Sequence, residues 1–182
     1  MIITISGRAG SGKSTVAKLI AKKLGIKHYS IGDLMRQMAM EKNITLLELN
    51  KLAEKDNSID LELDNRLKDL GKFQNNFVVD GRLTAFFIPH AQVRVFLEAD
   101  GKTRAERILN ERRQHEKSEN LRETMENIEQ REESERKRYI QYYDADYSDK
   151  KHYNCIIDTS KINPEQVVEK IMEFVNIVKK SL

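Results

Sequence analysis

Apolar residues in this chain come in short bursts separated by longer stretches in which they recur every third or fourth position. The bursts lie at residues 1–6, 27–30, 76–80, 92–97 and 152–158, and most are dense in isoleucine, valine, phenylalanine or tyrosine. Runs of this length and composition predict strands. Between them the period changes to that of a helix. Val16, Ala17, Leu19, Ile20 and Leu24 form one stripe, with Gly25 as its stop. A helix opens at Ile31-Gly32-Asp33 and carries Leu34, Met35, Met38 and Ala39. A second spans 43–55 with Thr45 as cap, and a third runs from Ser58 to Gly71 on Ile59, Leu61, Leu63, Leu67 and Leu70, leaving Asp60, Glu62, Asp64, Arg66 and Lys68 to the rest of its surface. Further helices are expected over 102–114, over 118–143 with Ser118 as cap, and from Asn163-Pro164 along Val167, Val168, Ile171, Met172, Phe174, Val175 and Val178. Five strands joined by helical crossovers imply an α/β fold, a parallel sheet with helices on both faces. Ligands of such sheets gather at the carboxyl ends of the strands.

One strand end carries a specific pattern. Gly7-Arg8-Ala9-Gly10-Ser11-Gly12-Lys13-Ser14, with Thr15 behind it, is Gly, four residues, Gly-Lys-Ser between a predicted strand and a predicted helix. That is the phosphate-binding loop (P-loop) fingerprint. Glycines let the backbone turn its N–H groups inward on phosphate oxygens, and the helix start adds its positive dipole end. Lys13 is expected on the β/γ-phosphates and the Ser14 hydroxyl on Mg²⁺. A plain glycine turn explains the glycines but not Lys13-Ser14. A nucleoside triphosphate with Mg²⁺ is therefore the expected ligand, and the architecture becomes a P-loop three-layer fold.

Composition narrows the partners. With 182 residues, 39% hydrophobic and 34% charged, the chain fits one polar domain. Lys+Arg 32 against Asp+Glu 29 gives a charge of +3, too mild to argue for nucleic acid. No apolar stretch reaches membrane-spanning length, and the first strand leaves no room for a signal peptide. The single cysteine, Cys155, sits in an apolar run and reads as a small core residue. These features point to a cytoplasmic protein with small-molecule partners, and nothing in them demands more than a monomer.

The other strand ends add polar groups: Ser30, Asp80-Gly81-Arg82, Glu98-Ala99-Asp100 and Asp158-Thr159-Ser160. Asp80 is a candidate for positioning Mg²⁺ or its waters; a turn or helix-capping aspartate is the alternative. In the 118–143 helix the apolar face Leu121, Met125, Ile128 continues as Arg131, Glu135, Arg138, all within about 140° of arc at about 100° per residue. A solvated, ion-paired face is one reading. The other is a set of phosphate-binding cations, since a site that gathers two phosphorylated substrates needs charge beyond Lys13. Arg104, Arg107, Arg112 and Arg113 lie just upstream, in a helical hairpin that could close as a lid and exclude water. The chain then divides into a core of about 1–30, 72–100 and 152–182, a helical acceptor-binding insert of about 31–71, and a lid of about 101–143.

Taken with Ser30-Ile31-Gly32-Asp33-Leu34-Met35-Arg36, Asp80-Gly81-Arg82-Leu83 and the block Arg131 to Tyr139, the chain resembles the nucleoside monophosphate kinases, and among them the archaeal-type cytidylate kinases. The resemblance implies phosphorylation of CMP or dCMP by ATP with Mg²⁺, in line and without a covalent enzyme intermediate. It implies Lys13, Arg131, Arg138 and Asp80 as catalytic groups, Ser14 and Asp80 at the metal, and Ser30, Asp33, Arg36, Arg66, Gly81, Arg82 and Glu135 on the acceptor side. Relative to bacterial cytidylate kinases, Ile31 stands where a serine is found, Glu135 replaces an aspartate, and Leu83 replaces the aspartate after Gly-Arg. The other readings are a P-loop kinase of AMP, UMP, shikimate or dephospho-coenzyme A, or a non-catalytic ATP-binding regulatory protein.

Overall fold

The computed structural model describes residues 1–111 and 118–181. Arg112, Arg113 and the expected helix end at Gln114 lie outside them. Five parallel strands, β1 (Ile2–Gly7), β2 (Lys27–Ser30), β3 (Phe77–Asp80), β4 (Val93–Glu98) and β5 (Cys155–Asp158), pair in the order β2-β3-β1-β4-β5. β1 is central, and all its residues are buried. Its side chains alternate between faces, as a pleated strand requires. Ile3 and Ile5 join a core with α1 (Lys13–Leu24) and α8 (Pro164–Ser181). Ile2 points to the other face, with Phe77, Val79 and Leu67 of α4 (Ser58–Phe73). Parallel strands buried on both faces are apolar throughout rather than alternating, which is why the bursts were continuous.

Between β2 and β3 lie α2 (Ile31–Glu41), α3 (Leu46–Ala53) and α4, which share a small core of Met35, Ala39, Leu46, Leu49, Ala53, Ile59 and Leu63. Thr45 forms a reciprocal capping box with Glu48, so α3 starts at the expected cap, although the helix is shorter than the 43–55 expected. Gly71 is not a stop: α4 runs on to Phe73, and a Cβ on Gly71 would lie 3.3 Å from Ile88 Cγ1. This glycine serves the close approach of α4 to the segment after a short helix, α5 (Thr84–Phe87), that the sequence pattern did not reveal.

After β4 come α6 (Gly101–Asn110) and α7 (Leu121–Tyr143). The cap of α7 is Asn120, whose side chain accepts from Glu123 N–H, and not Ser118. The last strand is shorter than the 152–158 expected: His152 ends a 3-10 turn, Lys150–His152, and β5 begins only at Cys155, which is half-buried against the core. No described helix is long and apolar enough to cross a membrane.

Candidate active site

The cleft opens at the carboxyl ends of β1 and β3, between the P-loop, the insert helices α2 and α4, and α7. Two glycines of the loop are dictated by contact as well as by conformation. Gly7 (φ 144°) and Gly10 (φ 75°) bring backbone so close that a Cβ would sit 2.3 Å from Leu97 O and 2.4 Å from Arg104 O. α1 begins at Lys13 with no side-chain cap, so its first N–H groups face the loop, as an anion site requires. The loop is braced from behind. Arg104 donates from Nη1 to Ala9 O (3.2 Å) and Glu132 Oε1 (2.7 Å), and Arg107 holds Thr159 O at 2.6 Å and Thr159 Oγ1 at 3.0 Å. These two lid candidates therefore already rest on the loop and its neighbours.

Lys13 donates from Nζ to Arg8 O at 2.7 Å. Burial, then the Arg82 guanidinium, holds its amine well below the usual lysine range. Beside it Asp80, at the end of β3 and 1% exposed, gathers three groups: Ser14 Oγ at 2.7 Å, His28 Nε2 at 2.6 Å and Ser30 Oγ at 3.2 Å. Ser14 and Asp80 are thus adjacent oxygen donors. Ser30 also caps α2 through Asp33 N–H, and Asp33 pairs with Arg36, which lines the cleft.

Across from Lys13 lies a buried ion-pair chain. Arg82 donates from Nε to Glu135 Oε2 (2.7 Å) and from Nη1 to Gly7 O (2.8 Å), while its Nη2 is buried with no hydrogen-bond partner among the described residues. Arg131 donates from Nε to the other Glu135 oxygen at 3.0 Å. Burial alone would raise the Glu135 pKa, but Arg82 and Arg131 outweigh it and bring it down to about 2. Glu135 is a fixed anion that aims two guanidiniums along one wall.

Two expected site residues lie elsewhere. Arg138 does not line the cleft. It is 1% exposed, with Nε on Asp60 Oδ2 (2.7 Å), Nη1 on Asn50 O (3.0 Å) and Nη2 on Asn50 Oδ1 (3.1 Å), and it staples α7 to α3 and α4. Arg66 is on the outer face of α4, paired with Glu62 at 2.7 Å, because the stripe Asp60, Leu63, Asp64, Leu67 is the one turned inward. The face of α7 that carries Glu135 and Arg138 is accordingly ion-paired but buried, not solvated, while Glu133 and Lys137 pair on its exposed side.

That inward stripe also corrects the reading of α4. Asp60 and Asp64 are 4% and 5% exposed and line the cleft with Leu63 and Leu67. Their signal was available: positions 60, 63, 64 and 67 share one helical face. Tyr143 donates its hydroxyl to Asp64 Oδ2. Burial, then the neighbouring Asp60, pushes the Asp64 carboxyl up to about 7. His28 was missed for a different reason. A histidine in a four-residue strand looks like any edge residue until its partner on the next strand is known.

The sequence model of the cytidylate kinase-like family matches residues 2–161. A cytidylate kinase of Methanosphaera stadtmanae is 40% identical over 182 residues, covering 100% of this chain and 98% of that protein. One from Archaeoglobus fulgidus is 37% identical over 179 residues, covering 98% and 97%. Among solved structures, an uncharacterized protein from Eubacterium ventriosum superposes with a TM-score of 0.71 at 18% identity, covering 97% of this chain and 98% of that one. The shikimate kinase of Bacteroides thetaiotaomicron gives 0.64 at 15%, covering 98% of each, a likeness of fold alone. On the length and identity of the sequence matches, the chain belongs to the cytidylate kinase-like family.

Proposed function

We propose that the protein transfers the γ-phosphoryl group of ATP to the phosphate of CMP or dCMP. The observation that carries this is Arg82. Its guanidinium is buried between the P-loop and α7, held on two sides by Glu135 and Gly7 O, and its third nitrogen has no hydrogen-bond partner among the described residues. A buried, unpaired charged donor is costly unless a ligand completes it. An anion sitting there, between donor loop and acceptor insert, would complete it.

In this reading the loop N–H groups and the start of α1 bind the ATP phosphates, and Lys13 exchanges Arg8 O for them. Arg36 and Arg82 hold the acceptor phosphate, and Arg131, steadied by Glu135, neutralises charge on the group in transit. One acceptor oxygen attacks the γ-phosphorus, the bond to the β–γ bridging oxygen breaks, and ADP leaves with that electron pair. Ser14 Oγ and Asp80, two adjacent hard oxygen donors, suit Mg²⁺ directly or through its waters. Held there by Ser14 Oγ and Asp80, such an ion would supply positive charge to offset that of the phosphates.

The test is ADP formation from ATP-Mg with CMP, dCMP, UMP, AMP, GMP or shikimate as acceptor. Stimulation by CMP and dCMP is expected. Its absence overturns the proposal, and ADP formed at the same rate without any acceptor would make the protein an ATPase.

A further inference from the structure

We propose that Asp64 reads the 4-amino group of the acceptor base and so selects cytosine over uracil; this rests on the acceptor being a pyrimidine monophosphate, as proposed above.

The cleft has two unlike ends. The cations Lys13, Arg36, Arg82 and Arg131 line one, and the other is walled by apolar residues, Met35 of α2 with Leu63 and Leu67 of α4. A flat base suits the second end as phosphate suits the first. Two carboxylates stand on that wall, and they are not equivalent. Asp60 is committed to the Arg138 guanidinium. Asp64 is 5% exposed, and its Oδ2 takes the Tyr143 hydroxyl. No described protein group donates to its Oδ1. Nor does a cation reach it by hydrogen bond: Lys68, the nearest positive influence, sits 4.9 Å over the Phe87 ring. A buried carboxyl that lines a ligand cleft and has no hydrogen-bonded cation is a site for a neutral N–H donor.

Cytosine presents such a donor at C4, whereas uracil presents a carbonyl oxygen there, as thymine does. Against the ionised carboxylate the uracil oxygen meets a like partial charge and no proton. A site built to receive an N–H discriminates strongly against an analogue lacking it, because the buried acceptor is left unpaired. Leu83 lines the same cleft and adds no polar group to compete.

The base reading has a pH signature. With the free carboxyl near 7, protonation below that value turns the acceptor into a donor. The groups that face it are Asp60 and Lys68 on α4 and Tyr143 on α7, with Arg138 acting through Asp60, and Arg36, Arg131 and Glu135 line the same cleft. The acceptor phosphate itself titrates near pH 6, but equally for CMP and UMP, so it cancels in their ratio. Acidification should weaken CMP and favour UMP.

The experiment is kcat/KM for CMP and UMP between pH 6 and 8, for wild type, Asp64→Asn and Asp64→Ser, with folding checked by circular dichroism. Asparagine keeps the shape, and serine gives a smaller side chain should asparagine misfold. In wild type the CMP/UMP ratio should rise with pH. In the variants it should fall about 10- to 100-fold, mainly through KM, and lose its pH dependence. If CMP and UMP decline together with their ratio intact, Asp64 only supports Tyr143 and the inference is overturned. A wild type that does not use CMP at all defeats the underlying reading instead, and this inference with it.

Discussion

The two ends of the cleft are built from different materials. At the P-loop the ligand surface is mostly backbone: glycines pressed against Leu97 O and Arg104 O, and the uncapped start of α1. At the junction of the insert with α7 it is made of side-chain charge taken out of water, Arg82–Glu135–Arg131 in the cleft wall and Arg138–Asp60 behind it. A triphosphate is common to many substrates, and a backbone nest suffices to hold it. A particular acceptor needs directional side chains, and those keep their direction only if packing and ion pairs fix their rotamers. The price is buried charge, which makes the second end sensitive to single substitutions.

The sharpest way to break the comparison is at Lys13, a side chain in the end that otherwise relies on backbone. Lys13→Ala should cut kcat about 100- to 1000-fold, with the circular dichroism spectrum and urea midpoint close to wild type, because among the described residues Nζ makes one hydrogen bond, to Arg8 O. A large loss of stability would mean that Lys13 holds the loop together and is not primarily there for phosphate.

Next is Arg138, where the opposite split is expected. Arg138→Met strands Asp60 and two acceptors of Asn50 in the interior. Removing one partner of a buried pair costs about 3–5 kcal/mol, read by urea unfolding. Adding Asp60→Asn should restore part of that loss, so the double variant should fall short of the sum of the singles. A stability change under about 1 kcal/mol would return Arg138 to the catalytic role that its sequence position suggested.

Asp64 gives a smaller effect with a definite sign. Its carboxyl is raised to about 7 in the folded protein from an ordinary aspartate value of 3.8. The folded state therefore binds the proton more tightly, and stability is lost as pH rises through that interval. Asp64→Asn should stabilise the protein at pH 8, by about 1–2 kcal/mol after solvent screening, and the gain should vanish near pH 4. Glu135 runs the other way: held at about 2 by Arg82 and Arg131, it contributes stability above the ordinary carboxylate range that is lost as pH falls toward 2. A stabilisation of Asp64→Asn that persists unchanged at pH 4 would trace it to packing.

The same division governs what could be read before the structure. The parallel sheet, the helical insert and the P-loop are local patterns: period, turn residues, one spaced motif. Ser14 and Asp80 were expected together and lie 2.7 Å apart, because the loop after β1 leads into the first turn of α1 beside the end of the neighbouring strand β3. The acceptor end was harder to read. In Arg131, Glu135 and Arg138 the sequence offers three charged residues on one face, and nothing local tells which one looks into the cleft. That depends on where α3 and α4 dock, which leaves Asn50 and Asp60 to capture Arg138. Asp60 and Asp64 were assigned to the outer surface of α4 because charge ordinarily marks the solvent face; here it marks a wall of the site.

Arg66 is the smallest of these effects and tests that last point. It follows Asp64 by two residues, so the helix turns it about 200° away, where it pairs with Glu62 and both side chains are about half exposed (54% and 49%). Exposed i,i+4 pairs contribute about 0.3–0.5 kcal/mol. Arg66→Ala should therefore change stability by no more than about 0.5 kcal/mol and leave kcat/KM for CMP within about twofold, a factor worth about 0.4 kcal/mol. A tenfold rise in KM for CMP would mean that α4 rotates when the acceptor binds and brings its outer face inward. In that case Asp64 would turn away from the base, and both carboxylates would have to be reassigned.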